Sequence, residues 1–254
     1  MPTNRSNPMN LETEHVQIPL SHGGKMGGYL ARPTDSETRP GVLVFMEIFG
    51  INAHIRDVTE RIAREGFVAL APDYFHRTAP GVELEYTDEG MQEGMGYLGQ
   101  LVADEMTSDA QAALDFLQSQ PNVGGQGVGA IGFCIGGHMT YLTACATGIR
   151  AAAAYYGGGI AAPQGPGGAP STVSRTSKIE GKIHCYFGGQ DSMIPADQVE
   201  TIRQALRGAG TRHEVVVYDD ADHGFNCDQR ASFDGPSAED AWRRSMDLFN
   251  AELR

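Results

Sequence analysis

The segment Gly132-Phe133-Cys134-Ile135-Gly136 decides the fold of this chain. It has the form G-x-C-x-G, in which a cysteine stands where most nucleophile elbows carry a serine. The apolar residues 128–131 precede it and predict a strand, and residues 137–147 follow with the apolar spacing of a helix. A strand, a glycine-flanked nucleophile and a helix form the context that an elbow requires. The segment therefore predicts a thiol nucleophile at Cys134.

The glycines on either side suit a nucleophile held on a sharp turn. Small neighbours let the backbone adopt strained dihedral angles, so that the nucleophilic side chain stands clear of the sheet. The N-terminus of the following helix also favours the thiolate over the thiol. The five residues alone fit equally well a buried, unreactive cysteine in a glycine-rich turn. Residues further along the chain favour the nucleophile.

Two later segments supply the partners that a nucleophile needs. Asp191 follows an apolar strand pattern at residues 183–187, and His223 follows another at residues 213–218. Taken singly, Asp191 could cap a helix, and His223 is one of eight histidines. Taken together, they give the chain order nucleophile, acid, histidine, which is the order of an α/β-hydrolase triad. The sequence predicts a catalytic triad of Cys134, Asp191 and His223.

Strand and helix patterns alternate along most of the chain. This alternation predicts an α/β-hydrolase fold, with a mostly parallel central sheet and helices on both faces. Residues 157–178 are rich in glycine and proline and are expected to form a long loop without regular structure, either a lid or a surface excursion. The remaining strands are expected at residues 14–18, 28–31, 42–46, 68–71 and 151–156, and helices at about 53–65, 102–118 and 238–253.

Length and charge narrow the classes of function. A chain of 254 residues is expected to form one domain, with residues 1–12 as a flexible N-terminal extension. The formal net charge of -13 argues against nucleic acid and anionic membranes as partners. The sequence has no apolar run long enough to cross a bilayer, and its polar first ten residues lack a signal-peptide core. A cytoplasmic protein is therefore expected.

Cysteine spacing bears on redox state and metals. The four cysteines show no CxxC pairing, so the spacing suggests neither a zinc site nor a thioredoxin-like centre. Free thiols in a reducing compartment suit a catalytic cysteine better than a disulfide framework.

Taken together, these motifs resemble the dienelactone hydrolase family, cysteine-dependent α/β-hydrolases whose name-giving activity opens a carboxymethylenebutenolide ring. The resemblance runs from about residue 29 to residue 249. It implies hydrolysis of a small ester or lactone through a thioester on Cys134, without a metal or an organic cofactor. The motifs are Gly-Phe-Cys-Ile-Gly-Gly at 132–137, Gly-Gly-Gln-Asp at 188–191, Asp-His-Gly-Phe at 222–225, Glu-Ile-Phe-Gly-Ile-Asn at 47–52 and Ala-Pro-Asp-Tyr at 71–74.

The resemblance also implies roles around the nucleophile. Glu47 would hold the resting thiol, and the backbone N–H groups of Ile48 and Ile135 would receive the oxyanion of the tetrahedral intermediate. Phe49 and Tyr156 would bind substrate. The alternatives are a strand-end surface carboxylate for Glu47 and a buried core tyrosine for Tyr156.

One departure from the family concerns the substrate. The family enzyme that opens dienelactone grips the substrate carboxylate with two arginines, and the matching positions here are Cys227 and, approximately, Gln92. No lysine or arginine occurs between Arg77 and Arg150. A buried carboxylate needs a charged partner, so a neutral substrate is expected, unless Arg77 or Arg230 substitutes from a nearby loop.

Three hypotheses of function follow. The first is a lactone or ester hydrolase, the second a thioester or activated-ester hydrolase with the same triad, and the third a ligand-binding or sensing protein without turnover. A complete triad favours an enzyme, because binding alone has no use for all three groups. The expected partner is a small-molecule ester or lactone, bound by a monomer or a small homo-oligomer.

Overall fold

A computed structural model describes residues 9–254, and within them eight strands form one sheet with six α-helices around it. The strands are β1 (Leu11–Pro19), β2 (Lys25–Pro33), β3 (Arg39–Phe45), β4 (Val68–Pro72), β5 (Val123–Phe133), β6 (Ala151–Tyr155), β7 (Lys182–Gly188) and β8 (Arg212–Tyr218). The helices are α1 (Ala53–Arg64), α2 (Asp88–Leu98), α3 (Ala103–Gln118), α4 (Ile135–Ala146), α5 (Ala196–Gly208) and α6 (Gly235–Leu253).

The sheet is mostly parallel, as the sequence predicts. Its strand order is β1-β2-β4-β3-β5-β6-β7-β8. β1 pairs with β2, and β2 with β4, in antiparallel register, whereas every pair from β4 to β8 is parallel. The carboxyl ends of the central strands therefore share one edge, where open α/β sheets bind their ligands.

Helices cover both faces of the sheet. On one face α1 and α6 meet where the guanidinium of Arg61 lies 4.1 Å from the centre of the Trp242 ring. On the other face α3 packs against α4. β3 and β6 are buried between these layers, and their continuous apolar sequences, Val42 to Phe45 and Ala151 to Tyr155, suit strands covered on both sides.

Three expectations about the chain need comment. Residues 1–8 of the expected N-terminal extension lie outside the described residues. Leu11 and Glu12, which were expected to belong to the extension, instead begin β1 and pair with β2, so the expectation is wrong for these two residues. Residues 157–178 are not wholly irregular, because Pro166–Gly168 and Thr172–Lys178 form 3₁₀ turns. None of the described helices combines the length and hydrophobicity that a membrane crossing requires.

Candidate active site

Cys134 lies on a strained turn between β5 and α4. Its φ of 57° and ψ of -122° are unusual for a residue other than glycine. The turn requires its glycines, because a Cβ on Gly132 would lie 2.1 Å from the carbonyl oxygen of Gly136, and one on Gly136 would lie 2.2 Å from that of Phe45. The strain and the close packing hold a partly exposed thiol at the top of the sheet, as expected of a nucleophile elbow.

The predicted acid and base are paired beside this thiol. Asp191 follows β7, His223 follows β8, and both side chains are buried. The Nδ1 atom of His223 lies 2.8 Å from Oδ2 of Asp191, and the other carboxylate oxygen accepts the backbone N–H of Met193 at 2.9 Å. Asp191 is thus held in place from the turn after its own strand, and it fixes the orientation of the imidazole.

The second nitrogen of His223 is free to act on Cys134. Nε2 is buried and forms no well-aligned hydrogen bond to the described residues. Burial lowers the pKa of His223, but the negative charges of Cys134 and Asp191 raise it more, so that it lies above its ordinary value. Cys134 and His223 line the same cavity. Catalytic hydrogen bonds are commonly loose before substrate binds.

Two backbone amides are available for an oxyanion. Ile135 is the first residue of α4, where a helix leaves its N–H groups without internal partners. Ile48 lies in the turn after β3, and its N–H donates to no acceptor in the described chain. Helix α2 packs closely on this turn, since a Cβ on Gly94 would lie 2.6 Å from the carbonyl oxygen of Ile48. These are the two residues to which the family resemblance assigns the oxyanion hole.

A cavity of about 400 Å³ opens beside Cys134 and His223. One wall comes from the glycine-rich loop at 157–178, which therefore borders the reacting groups. No lysine, arginine or carboxylate from residues 9–254 lines it. The lining residues are Leu98, Gly99, Leu101, Cys134, Ile135, His138, Gly158, Gly159, Gln164, Gly165, Pro166, Gly167, Met193 and His223.

His138, one helical turn after Cys134, fastens the loop to α4. Its Nδ1 lies 2.9 Å from the carbonyl oxygen of Gly158, and its Nε2 lies 2.7 Å from Oγ1 of Thr172. Burial lowers the pKa of His138 to about 4, so a neutral ring donates to the carbonyl and accepts from the hydroxyl. Sequence reasoning missed this residue, although the i, i+4 spacing from the nucleophile was a signal.

Glu47 is completely buried, and it is paired with a cation. The Tyr86 hydroxyl donates to Oε2 at 2.9 Å, and Nη1 of Arg230 donates to Oε1 at 3.2 Å. These are its hydrogen-bond partners in the described chain, and the expected bond from the Cys134 thiol is not among them. Glu47 and Cys134 both act on the buried Tyr74 hydroxyl, because burial and then the charges of these two residues raise its pKa.

The four expected substrate-binding residues lie in different surroundings, and none borders the cavity. Tyr156 is fully buried with a φ of 36°, its hydroxyl has no partner in the described chain, and its ring centre lies 5.1 Å from that of His223. Phe49 is buried beneath the Arg230 guanidinium, at 5.8 Å. Arg77 has a different partner, since its Nη2 donates to Oδ1 of Asp109 at 2.9 Å.

The comparisons with known proteins identify the family. The model of the dienelactone hydrolase family matches residues 26–253. A Synechocystis protein named "Putative carboxymethylenebutenolidase" is 43% identical over 97% of this chain and 99% of its own length. The "Carboxymethylenebutenolidase" of Pseudomonas putida is 28% identical over 93% of this chain and 95% of its own.

A solved structure extends the similarity to the fold. The crystal structure named "Putative Dienelactone Hydrolase" from Klebsiella pneumoniae superposes with a TM-score of 0.86 at 32% identity, covering 95% of this chain and 99% of that one. The chain is a hydrolase with the α/β-hydrolase fold, and it belongs to the dienelactone hydrolase family.

Proposed function

We propose that the protein hydrolyses a small lactone or ester through a thioester on Cys134. One observation carries the proposal: the strained elbow cysteine and the Asp191-bound His223 border the same cavity. Strain of this kind persists where a function needs it, and a structural cysteine has no use for a buried acid–histidine pair. The same arrangement argues against a protein that only binds ligand.

The chemistry follows from the positions of the three side chains. Nε2 of His223 takes the thiol proton while Sγ of Cys134 attacks the acyl carbon. The resulting oxyanion accepts hydrogen bonds from the backbone N–H groups of Ile48 and Ile135. The bond to the alkoxide then breaks, and the imidazolium protonates the leaving oxygen. In the second half, His223 takes a proton from water, the hydroxyl attacks the thioester, and the thiol leaves with that proton.

Glu47 is proposed to gate the nucleophile. A buried carboxylate near Cys134 opposes a thiolate, whereas the helix N-terminus of α4 and His223 favour it. Arg230 and Tyr86 hold that carboxylate in place. The resting thiol would thereby be protected from oxidation and alkylation until substrate enters.

The cavity favours a neutral acyl group. Its described lining has no lysine or arginine, and the half-buried Arg230 is already paired with Glu47. Cys227 stands where the family enzyme that opens dienelactone carries an arginine, and burial raises its pKa to about 11, so it carries no charge at neutral pH. We also propose that the protein acts in the cytoplasm, where the free thiol of Cys134 stays reduced.

The test is a panel of neutral lactones, simple esters and acyl thioesters, assayed with the wild-type protein, Cys134→Ala and Cys145→Ala. Cys145 is a buried cysteine of α4, the helix that follows Cys134, and it serves as the matched control. Cys134→Ala should lose several orders of magnitude in kcat/KM, whereas Cys145→Ala should keep most of the activity. Wild-type-like turnover by a folded Cys134→Ala protein would overturn the proposal, and the preferred member of the panel separates lactone or ester from thioester hydrolysis.

A further inference from the structure

We propose that Glu47, His54 and Cys227 form a binding site for Zn²⁺, and that occupation of this site inhibits the enzyme. One carboxylate oxygen, one imidazole nitrogen and the thiol sulfur of these residues lie within 4.8 Å of one another, and all three residues are buried. Glu47 comes from the turn after β3, His54 from the first turn of α1, and Cys227 from the loop that carries His223. The site lies beside the hydrolytic centre and shares Glu47, the proposed gate of the nucleophile, with it. His54 and Cys227 take no part in the proposed hydrolysis.

The donor set matches the preferences of zinc. Carboxylate oxygen, imidazole nitrogen and cysteine sulfur are its usual protein ligands, and three of them leave a fourth position for water or another anion. Bonds of about 2.0–2.3 Å place tetrahedral ligand atoms roughly 3.5 Å apart. Side-chain adjustments of about an ångström would therefore bring the three donors from their present spacing onto one ion.

The imidazole of His54 gives independent evidence for a ligand. The residue is only 2% exposed, and its Nε2 atom is buried without a hydrogen-bond partner in the described chain. The other nitrogen, Nδ1, lies 3.8 Å from Oδ1 of the exposed Asp228, so it faces the outside. An unpaired buried nitrogen is costly, and a bound cation would satisfy it.

Charge determines how tightly the ion can be held. On binding, the S–H bond of Cys227 breaks, its proton passes to solvent, and the thiolate bonds to Zn²⁺. The ion, the thiolate and the Glu47 carboxylate then sum to zero, which leaves the positive charge of Arg230 without its present counter-ion. Zinc therefore competes with Arg230 for Glu47, and we expect reversible binding rather than the permanent binding of a structural zinc.

The same competition explains the inhibition. Zinc binding withdraws Glu47 from Arg230 and Tyr86, the two groups that hold it in place. It also fixes the loop between His223 and Cys227, where only three residues separate the two. Both changes act on the surroundings of Cys134 without occupying the substrate cavity.

The direct test measures binding rather than hydrolysis. Cys134→Ala protein, in which the catalytic thiol cannot ligate metal, is titrated with Zn²⁺ against a chromophoric chelator and separately with Co²⁺. We expect one equivalent of metal and a thiolate-to-cobalt charge-transfer absorption. Adding Cys227→Ala should remove this absorption and weaken zinc binding at least about 100-fold, whereas adding Cys145→Ala should change neither.

A second ligand variant covers the case in which Cys227→Ala does not fold. Adding His54→Gln to the Cys134→Ala protein should weaken zinc binding to a similar degree but keep the thiolate absorption. Circular dichroism checks that each variant is folded. Unchanged zinc affinity in either ligand variant, or no metal bound by Cys134→Ala, would overturn the proposal and leave the proposed hydrolysis unaffected.

Discussion

Replacing Asp191 by asparagine should disable His223 while leaving the fold intact. The asparagine oxygen can still accept the Met193 N–H that Asp191 accepts at 2.9 Å, so the side chain keeps its orientation. Its amide then faces Nδ1 of His223, where a carboxylate oxygen now lies at 2.8 Å. An amide donor there makes Nδ1 an acceptor and moves the ring proton to Nε2. The base then has no lone pair for the thiol proton.

The size of the effect follows from this change of tautomer. Loss of the orienting carboxylate in a catalytic triad costs about 10,000-fold in turnover. That factor corresponds to roughly 5.4 kcal/mol of transition-state stabilisation. Removing the Asp191 charge also lowers the pKa of His223, because that charge is one of the groups that raise it.

The assay is kcat/KM for a neutral ester against pH, with Asp222→Asn as the matched control. Asp222 precedes His223 and accepts its backbone N–H at 2.6 Å, a role that an asparagine oxygen keeps. The control should therefore stay within about twofold of the wild type. A folded Asp191→Asn protein with kcat/KM within about tenfold of the wild type would refute the role assigned to this carboxylate.

Three further outcomes are expected. Glu47→Gln should make Cys134 react faster with iodoacetamide and should lower turnover. Equal alkylation rates of the variant and the wild type at every pH would contradict the gating. The substitution should also lower Tm, because it leaves the Arg230 charge unpaired. Of two lactones that differ only in a carboxylate, the neutral one should have the higher kcat/KM, and strong selection for the acid would redirect attention to Arg230. Gly136→Ala should destabilise the fold by at least ~2 kcal/mol in urea unfolding, because its Cβ would meet a carbonyl at 2.2 Å, whereas the exposed Gly148→Ala should not.

Local patterns were sufficient to predict the sheet and most helices, and to select the residues of the candidate triad. The apolar runs that became β3 and β6 are long enough to identify buried strands without tertiary information. The elbow glycines are equally local, because the turn that they permit is formed by their own neighbours and by the strand beside them. Asp191 and His223 were identified because each follows a strand.

Helix α2 was missed because its glycines serve tertiary contacts rather than helix propensity. Gly90 and Gly94 interrupt its apolar spacing, yet a Cβ at these positions would lie 2.2 Å from the carbonyl oxygen of Glu85 and 2.6 Å from that of Ile48. The 3₁₀ turn at Thr172–Lys178 has a similar origin. Its polar sequence has no helical period. The turn is held by two hydrogen bonds to α4, one between Thr172 and His138 and one between Thr176 and Tyr141.

The surroundings of Glu47 could not be read from spacing. Its partners Tyr86 and Arg230, and its neighbours His54 and Cys227, come from three separate segments that meet only after the sheet has formed. The sequence contains no paired cysteine motif, and a site assembled from single residues leaves no such pattern.

The acyl-enzyme is the most direct test of the central claim. Wild-type protein is mixed with a slowly hydrolysed neutral ester, quenched in acid within milliseconds to seconds, and analysed by intact-mass and peptide mass spectrometry. The account predicts one acyl group per chain, carried as a hydroxylamine-labile thioester on the peptide that contains Cys134, and formed and lost at rates compatible with kcat. Steady turnover with no adduct under these conditions, or an adduct on Cys145, Cys185 or Cys227 instead, would contradict it.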